Sequence, residues 1–469
     1  MMPDQITDLL VIGSGPAGQK AAIQGAKAGK SVILVESSRE LGGSCVQRGT
    51  IPSKTLRENA LRVKNMRLNA KLANYKLPED LELNTLIHRL SEVLAAHDIY
   101  MRKQVERNGV HCIHGKASFV TPNRISITQV RGSNILVDAK NIIIATGSIP
   151  RKPDNIEVDH EHIFDSDSIL SMLYLPRSLT VLGGGVIASE YASIFQALGV
   201  KVTMIDRYPQ PLGFLDGDLT ETFVKAFEEM GGTWMGNSKV NQVVWNGFNA
   251  VITELDDGRK ISSDKVLCAA GRISNVAGLS IENAGLKLNE KGLIEVNASL
   301  ATAVPHIYAA GDIIGPPSLA SASMEQGRRA SSNALGNPIG AMGDFIPSGI
   351  YSIPELSGVG LNEEQARKAY GDVIVGKAKF DEIARGQISG IQSGMLKIIC
   401  APDGEKILGV MIVCEGATEL IHIGQMALIT QSKVDVFVEN IFNFPTLAEA
   451  YRVAALEIIG KRSARQHVF

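Results

Sequence analysis

One pattern occurs twice in this chain, and the repetition constrains the fold more than any other feature. Residues 9–36 read as a short apolar strand, LLVIG, followed by Gly13-Ser14-Gly15-Pro16-Ala17-Gly18, a helical stretch, QKAAIQGAKAGK, and a second strand, SVILVE, ending at Glu36. Residues 179–206 repeat it: LTVL, then Gly183-Gly184-Gly185-Val186-Ile187-Ala188, a helical SEYASIFQALG, and VTMI ending at Asp206. In such a unit the first glycine makes a tight turn, and the second lets backbone approach a pyrophosphate. The third position, Gly18 or Ala188, lets helix and strand pack closely. The helix N-terminus offers N–H groups and partial positive charge to phosphates. The terminal carboxylate can accept from ribose hydroxyls. Glu36 follows Gly13, and Asp206 follows Gly183, by the same 23 residues. One such motif is weak evidence; two with matching offsets predict two dinucleotide sites on parallel sheets, an α/β fold.

Each copy leads into a polar, alternating stretch and then a buried strand ending in a small residue and glycine. In the first copy this is KASFVTPNRISIT, then NIIIATG with Thr146 and Gly147; in the second, NSKVNQVVWNGFNAVITEL, then KVLCAAGR with Gly271. Each nucleotide unit is therefore expected to carry an antiparallel excursion. A chain of 469 residues allows roughly three domains at ~150 residues each, so a further unit follows the two repeats. Lys plus Arg is 47 against 49 Asp plus Glu, and there are two tryptophans without basic–aromatic interleaving. That balance points away from nucleic acid and anionic membrane surfaces. The apolar runs fall short of the ~20 residues of a membrane span. The start lacks a basic n-region and a long apolar h-region, so no signal peptide is read and a cytoplasmic location is expected. Five cysteines without C-x-x-C, and no His/Cys/Asp cluster at ligand spacing, predict neither a disulfide scaffold nor a metal site.

Over its whole length the chain resembles the two-dinucleotide flavoprotein disulfide reductases (class I pyridine nucleotide-disulfide oxidoreductases). That family includes glutathione reductase, dihydrolipoyl dehydrogenase, mercuric reductase and the soluble (Si-specific) pyridine nucleotide transhydrogenases. ATG and AAGR match its second fingerprints, HIYAAGDIIG its late FAD motif, and the stretch from Phe345 through IYSIPELSGVG its dimerisation domain. The resemblance implies two Rossmann-like nucleotide-binding domains plus an α+β C-terminal dimerisation domain. By it, residues 1–150 and 276–344 form the FAD-binding domain, 151–275 the NAD(P)-binding domain and 345–469 the interface domain. The FAD side would use Gly13, Gly15, Gly18, Glu36, Gly42, Gly43, Thr146, Gly147 and Asp312, with Gly115 and Ala117 at the adenine end. The nicotinamide nucleotide would use Gly183, Gly185, Ile187, Glu190, Asp206, Arg207, Val240 and Gly271. It also implies a homodimer or larger homo-oligomer, each site completed by the partner's C-terminal segment.

Two parts of the family's thiol chemistry are missing. The helix over the flavin reads G-G-x-C-x-x-x-x-C in the family. Here it runs from Gly42 and Gly43 through Cys45 to Thr50, so the second sulfur is replaced by a hydroxyl. Before Pro445-Thr446-Leu447-Ala448-Glu449, the family's acid/base histidine is Phe444, which neither accepts nor donates a proton. Lys54 and Glu190, which in the family pair near the isoalloxazine, are both kept. Cys45 has two open readings: a thiolate tuning the flavin, or an inherited small residue. His306 and His422 are read as structural, the latter packing at the interface.

The catalytic candidates are thus Lys54, Glu190, Cys45 and Thr50. With no dithiol, electrons reaching FAD must leave it directly. The resemblance implies ping-pong transfer between NADPH and NAD+, with NAD(H) and NADP(H) as substrates. Segments such as FDSDSILSM, PSGIYSIPE and FPTLAEAYRVAAL resemble the transhydrogenase branch specifically. Asp206 suits a 2′-hydroxyl and Arg207 a 2′-phosphate, a mixed signal for nucleotide preference. The alternatives are an NAD(P)H:quinone or dye reductase, a dihydrolipoyl dehydrogenase-like protein, and a non-catalytic FAD-binding protein.

Overall fold

A computed structural model of the chain describes residues 5–72, 74, 83–130, 132–391 and 393–466. The polar segment NYKLPED lies outside these residues except for Asn74. It falls between two long helices, Thr50–Leu72 and Leu83–Arg107.

The first repeat forms strand Gln5–Ile12, helix Pro16–Lys27 and strand Val32–Glu36. Gln5–Ile12 runs parallel to both Val32–Glu36 and Asn134–Ile144. Leu9, Leu10, Val11, Val35 and Ile142–Ile144 are buried, as expected for central parallel strands covered on both faces. His111–Phe119 and Arg124–Gln129 form the antiparallel excursion, which returns through Asn134–Ile144. Ile307–Ala309, far along the chain, completes this sheet beside Ile142–Ile144.

The second repeat forms Ser178–Leu182, helix Val186–Ala197 and Lys201–Ile205. These strands lie in an all-parallel five-stranded sheet with Thr233–Met235, Lys265–Cys268 and Ile163–Asp165. Its antiparallel excursion is a separate sheet, Val240–Trp245, Val251–Leu255 and Lys260–Ser263. Between the two nucleotide units the chain crosses over twice, and the crossings pair as Ser148–Pro150 with Arg272–Ser274. The last unit is a five-stranded antiparallel sheet, from Ser348–Ile350 to Ile374–Lys379, with helices Ala417–Ile429 and Glu449–Gln466 packed on it.

Candidate active site

The three units enclose one large cleft of about 2200 Å³. At its floor lies the first glycine turn. Gly13 has φ +99°, and a Cβ there would meet the Ala145 carbonyl oxygen at 2.4 Å. A Cβ at Gly18 would lie 1.8 Å from the Gly13 carbonyl oxygen, so this position tolerates only glycine. Gly15, by contrast, faces open space. It sits at the N-cap of helix Pro16–Lys27, which no side chain caps. Its first-turn N–H groups are therefore left for a ligand. The second turn copies this: Gly183 has φ +116°, and Gly185, at the N-cap of Val186–Ala197, faces open space and has no capping side chain.

The two terminal carboxylates serve their own turns. Glu36 Oε2 accepts from Ser14 N (2.9 Å) and Ser14 Oγ (2.7 Å), and its Oε1 from Ser38 N (2.8 Å). Asp206 Oδ2 accepts from Gly184 N, and its Oδ1 from Tyr208 N at 2.9 Å.

Helix Gly43–Gln47 begins against the first turn, where Gly43 is too close to Gly15 for a side chain. Gly42, left-handed at φ +104°, donates its N–H to Ser14 Oγ at 3.1 Å. Cys45 and Thr50 face the cleft together. Burial pushes the Cys45 thiol above the ordinary thiol range, against the opposing pull of the Thr50 hydroxyl and Lys54. A raised value keeps this sulfur a neutral thiol near pH 7. All five cysteines are free.

One turn onward, Lys54 Nζ donates to Glu190 Oε2 at 2.7 Å. The pair joins the long helix of the first unit to the glycine-turn helix of the second. Glu190 Oε1 accepts from Tyr351 N at 2.9 Å, and the Tyr351 ring lies 4.8 Å from Lys54 Nζ. All three units thus meet at this ion pair.

A second network crosses the same region. Arg272 donates to the Ser148 Oγ and carbonyl (2.9 and 2.7 Å), to Ser166 Oγ (3.0 Å) and to Asp167 Oδ1 (2.8 Å). Ser148 Oγ donates to Asp312 Oδ2 at 2.7 Å, and Arg48 lies 3.5 Å from Asp167 Oδ2. The double crossover is thereby stapled to the late FAD-type motif.

Most sequence-predicted site residues converge on the cleft. Gly13, Gly15, Glu36, Gly43, Cys45, Thr50 and Lys54 line it, as do Gly115, Ala117, Thr146, Gly147 and Asp312. Gly185, Ile187, Glu190 and Gly271 do so from the second unit. Gly18, Gly42 and Gly183 act from behind as turn and packing positions. Asp206 and Arg207 lie at the outer end of the second turn, away from the cleft wall, and Val240 packs against the adjacent apolar cluster. His422 is exposed in the single chain, on the cleft wall, with Nδ1 2.8 Å from Gln425 Oε1. Sequence reasoning missed Arg48, Ser148, Asp167, Arg272 and Tyr351 as members of the site.

The residues present fit an FAD and a nicotinamide dinucleotide. Both helix N-termini are uncapped, both turns are stripped of side chains at the point of approach, and the buried Thr146 hydroxyl on the cleft wall has no partner in the chain. Among the described residues no cluster could hold a metal ion, and no helix is long and apolar enough to cross a membrane.

Comparison with known proteins agrees with this geometry. The pyridine nucleotide-disulphide oxidoreductase family matches residues 7–327, and its dimerisation domain matches residues 346–455. The soluble pyridine nucleotide transhydrogenase of Mycobacterium tuberculosis is 42% identical over 459 residues, covering 97% of this chain and 98% of its own. That of Pseudomonas putida is 40% identical over 454 residues, covering 96% and 97%. Among solved structures, LpdA from Mycobacterium tuberculosis superposes with TM-score 0.89 at 26% identity, over 96% of this chain and 99% of that one. The HOCl-induced flavoprotein disulfide reductase RclA from Escherichia coli superposes with TM-score 0.87 at 27% identity, over 96% and 99%. Two glycine-turn units, their shared cleft and a matching C-terminal sheet together mean that this chain belongs to the pyridine nucleotide-disulphide oxidoreductase family.

Proposed function

We propose that the chain is a soluble pyridine nucleotide transhydrogenase: an FAD-dependent enzyme that passes reducing equivalents between NADPH and NAD+ with no redox disulfide. In this reading residues 1–150 and 276–344 hold FAD, residues 151–275 hold the nicotinamide nucleotide, and residues 345–469 mediate assembly. When bound, the flavin would supply the two-electron chemistry that links one nicotinamide nucleotide to another. The chain's own residues do the rest. The open helix N-termini at Gly15 and Gly185 receive the pyrophosphates. Lys54 holds positive charge beside the reacting ring system, and Glu190 fixes the lysine. Asp312, steadied by Ser148, accepts from ligand hydroxyls.

A single juxtaposition carries the reading. The Lys54–Glu190 pair is intact at 2.7 Å, while the position that would complete a disulfide with Cys45 is the Thr50 hydroxyl. A site so built can take electrons in, but it has no sulfur pair to send them through.

Assembly as a cytoplasmic homodimer accompanies this proposal. Ile441 and Phe444 are 98% and 73% exposed in the single chain, which suits a segment completed by a partner. Nicotinamide nucleotides are the only further partners proposed; nucleic acid and membrane are not.

Rapid mixing tests the proposal. NADPH should bleach the bound flavin, and NAD+ should restore its colour at a rate matching turnover. The apolar cleft residues Phe345, Ile346, Ile421 and Ile429 favour a second reading, a quinone or dye reductase. Restoration by a quinone but not by NAD+ would establish that reading and overturn the first.

A further inference from the structure

The transhydrogenase reading requires one site to accept nucleotides with and without a 2′-phosphate, and the structure carries a device suited to that task. At the outer end of the second glycine turn, Asp206 bonds through one oxygen to the Gly184 N–H and through the other to the Tyr208 N–H. The Tyr208 carbonyl accepts from Asn237 N at 3.1 Å. Tyr208 is therefore held at both backbone groups and fixed relative to the turn, although the residue is 57% exposed. The Arg207 guanidinium lies over this ring, 4.9 Å from its centroid, and donates one N–H to the Tyr208 hydroxyl at 3.0 Å. A free surface arginine samples many rotamers; this one is stacked and tethered.

We infer that Tyr208 is a specificity-determining residue: it pre-organises Arg207 so that the guanidinium's remaining donors meet the 2′-phosphate of NADP(H), while leaving NAD(H) binding untouched. The physical basis is entropic. An arginine already immobilised on an aromatic face loses little further freedom when it engages an anion, and guanidinium geometry matches phosphate oxygens. The nucleotide lacking the phosphate never contacts Arg207, so the platform is neutral toward it. Asp206 contributes from the other side: its carboxylate is committed to the backbone and keeps the platform in register, and it is not expelled when the phosphate arrives. The inference rests on the reading that this turn carries the adenosine ribose of the nicotinamide nucleotide.

The test uses the FAD-loaded full chain and two probes, adenosine 2′,5′-bisphosphate and 5′-AMP, with binding measured by calorimetry rather than activity. Arg207→Ala should weaken the bisphosphate strongly and leave 5′-AMP within about twofold. Tyr208→Ala should weaken the bisphosphate about fivefold and Tyr208→Phe, which keeps the stack but loses the hydroxyl, about twofold. Neither should alter 5′-AMP binding. If Arg207→Ala discriminates between the probes while both Tyr208 variants bind them as the parent does, the nucleotide reading stands and this inference falls. If Arg207→Ala affects the probes equally or not at all, the placement of the ribose fails and the inference fails with it. Tighter bisphosphate binding by Tyr208→Ala would also overturn it, since the ring would then be holding Arg207 away from the phosphate.

Discussion

Breaking the Lys54–Glu190 pair should slow flavin reduction, and its two halves should not act independently. The oxygen and nitrogen are 2.7 Å apart, and the side chains are 6% and 25% exposed. At that separation Coulomb attraction is about 6 kcal/mol with an effective dielectric of ~20, and about half that once the partial exposure of Lys54 doubles the screening. Desolvation of the carboxylate takes back part of this, leaving roughly 2 kcal/mol net, or about 30-fold in rate. Lys54→Met leaves Glu190 buried with only the Tyr351 N–H as partner, so the full 30-fold loss is expected. Glu190→Gln keeps the shape and the acceptor and leaves Lys54 over the Tyr351 ring, so about tenfold is expected. The double variant should be no slower than Lys54→Met, because the interaction is already gone; the coupling is then about tenfold. The assay is anaerobic stopped-flow with NADPH, following the flavin absorbance. A double variant slowed by the product of the two single losses would show that Lys54 and Glu190 act separately and would refute the reasoning.

Three further outcomes follow from the geometry. Gly18→Ala places a methyl 1.8 Å from the Gly13 carbonyl oxygen, so the purified protein should carry little FAD; a flavin-to-protein ratio equal to the parent's would contradict the role given to this turn. Arg272→Ala removes the staple among Ser148, Ser166 and Asp167 and should lower kcat and raise the nucleotide KM together, by about tenfold in kcat/KM; a change confined to thermal stability would argue against a positioning role. Lys397, buried in strand Met395–Cys400, pairs with Asp216, Asp218 and Glu363. Burial opposes ionisation of both carboxyls, yet Lys377 and Lys397 hold Asp218, and Lys397 and Arg367 hold Glu363, below the usual carboxylate range. Their stabilisation is present above the unfolded carboxylate range near pH 4 and is lost as pH falls through their lowered folded values. Lys397→Met should therefore destabilise the protein by about 3 kcal/mol at pH 7 in denaturant titration, and by progressively less below pH 4.

What the sequence disclosed was mostly local. The glycine turns could be read because their cause is local: a left-handed Gly13, and a Gly18 with no room for a methyl, leave their mark in six consecutive residues. Loss of the second sulfur and of the histidine was equally plain, since each is a substitution inside a motif. The strands and helices of both repeats fall where their apolar periodicity puts them. The staple around Arg272 was hidden because its partners lie 105, 106 and 124 residues away. Tyr351 contributes through a backbone N–H, which no side-chain pattern reveals. Glu36 and Asp206 were read as ribose acceptors, and the structure adds a task that sequence could not show: each also ties down its own turn.

The central claim is that electrons pass between nicotinamide nucleotides without a sulfur relay. Of the five cysteines only Cys45 lines the cleft. The decisive measurement is NADPH-to-NAD+ turnover by the Cys45→Ser protein loaded with FAD. A rate within about threefold of the parent's is predicted, since a neutral, half-buried thiol is being exchanged for a hydroxyl of similar size. A variant whose flavin is still bleached by NADPH but which no longer reduces NAD+ would contradict the account.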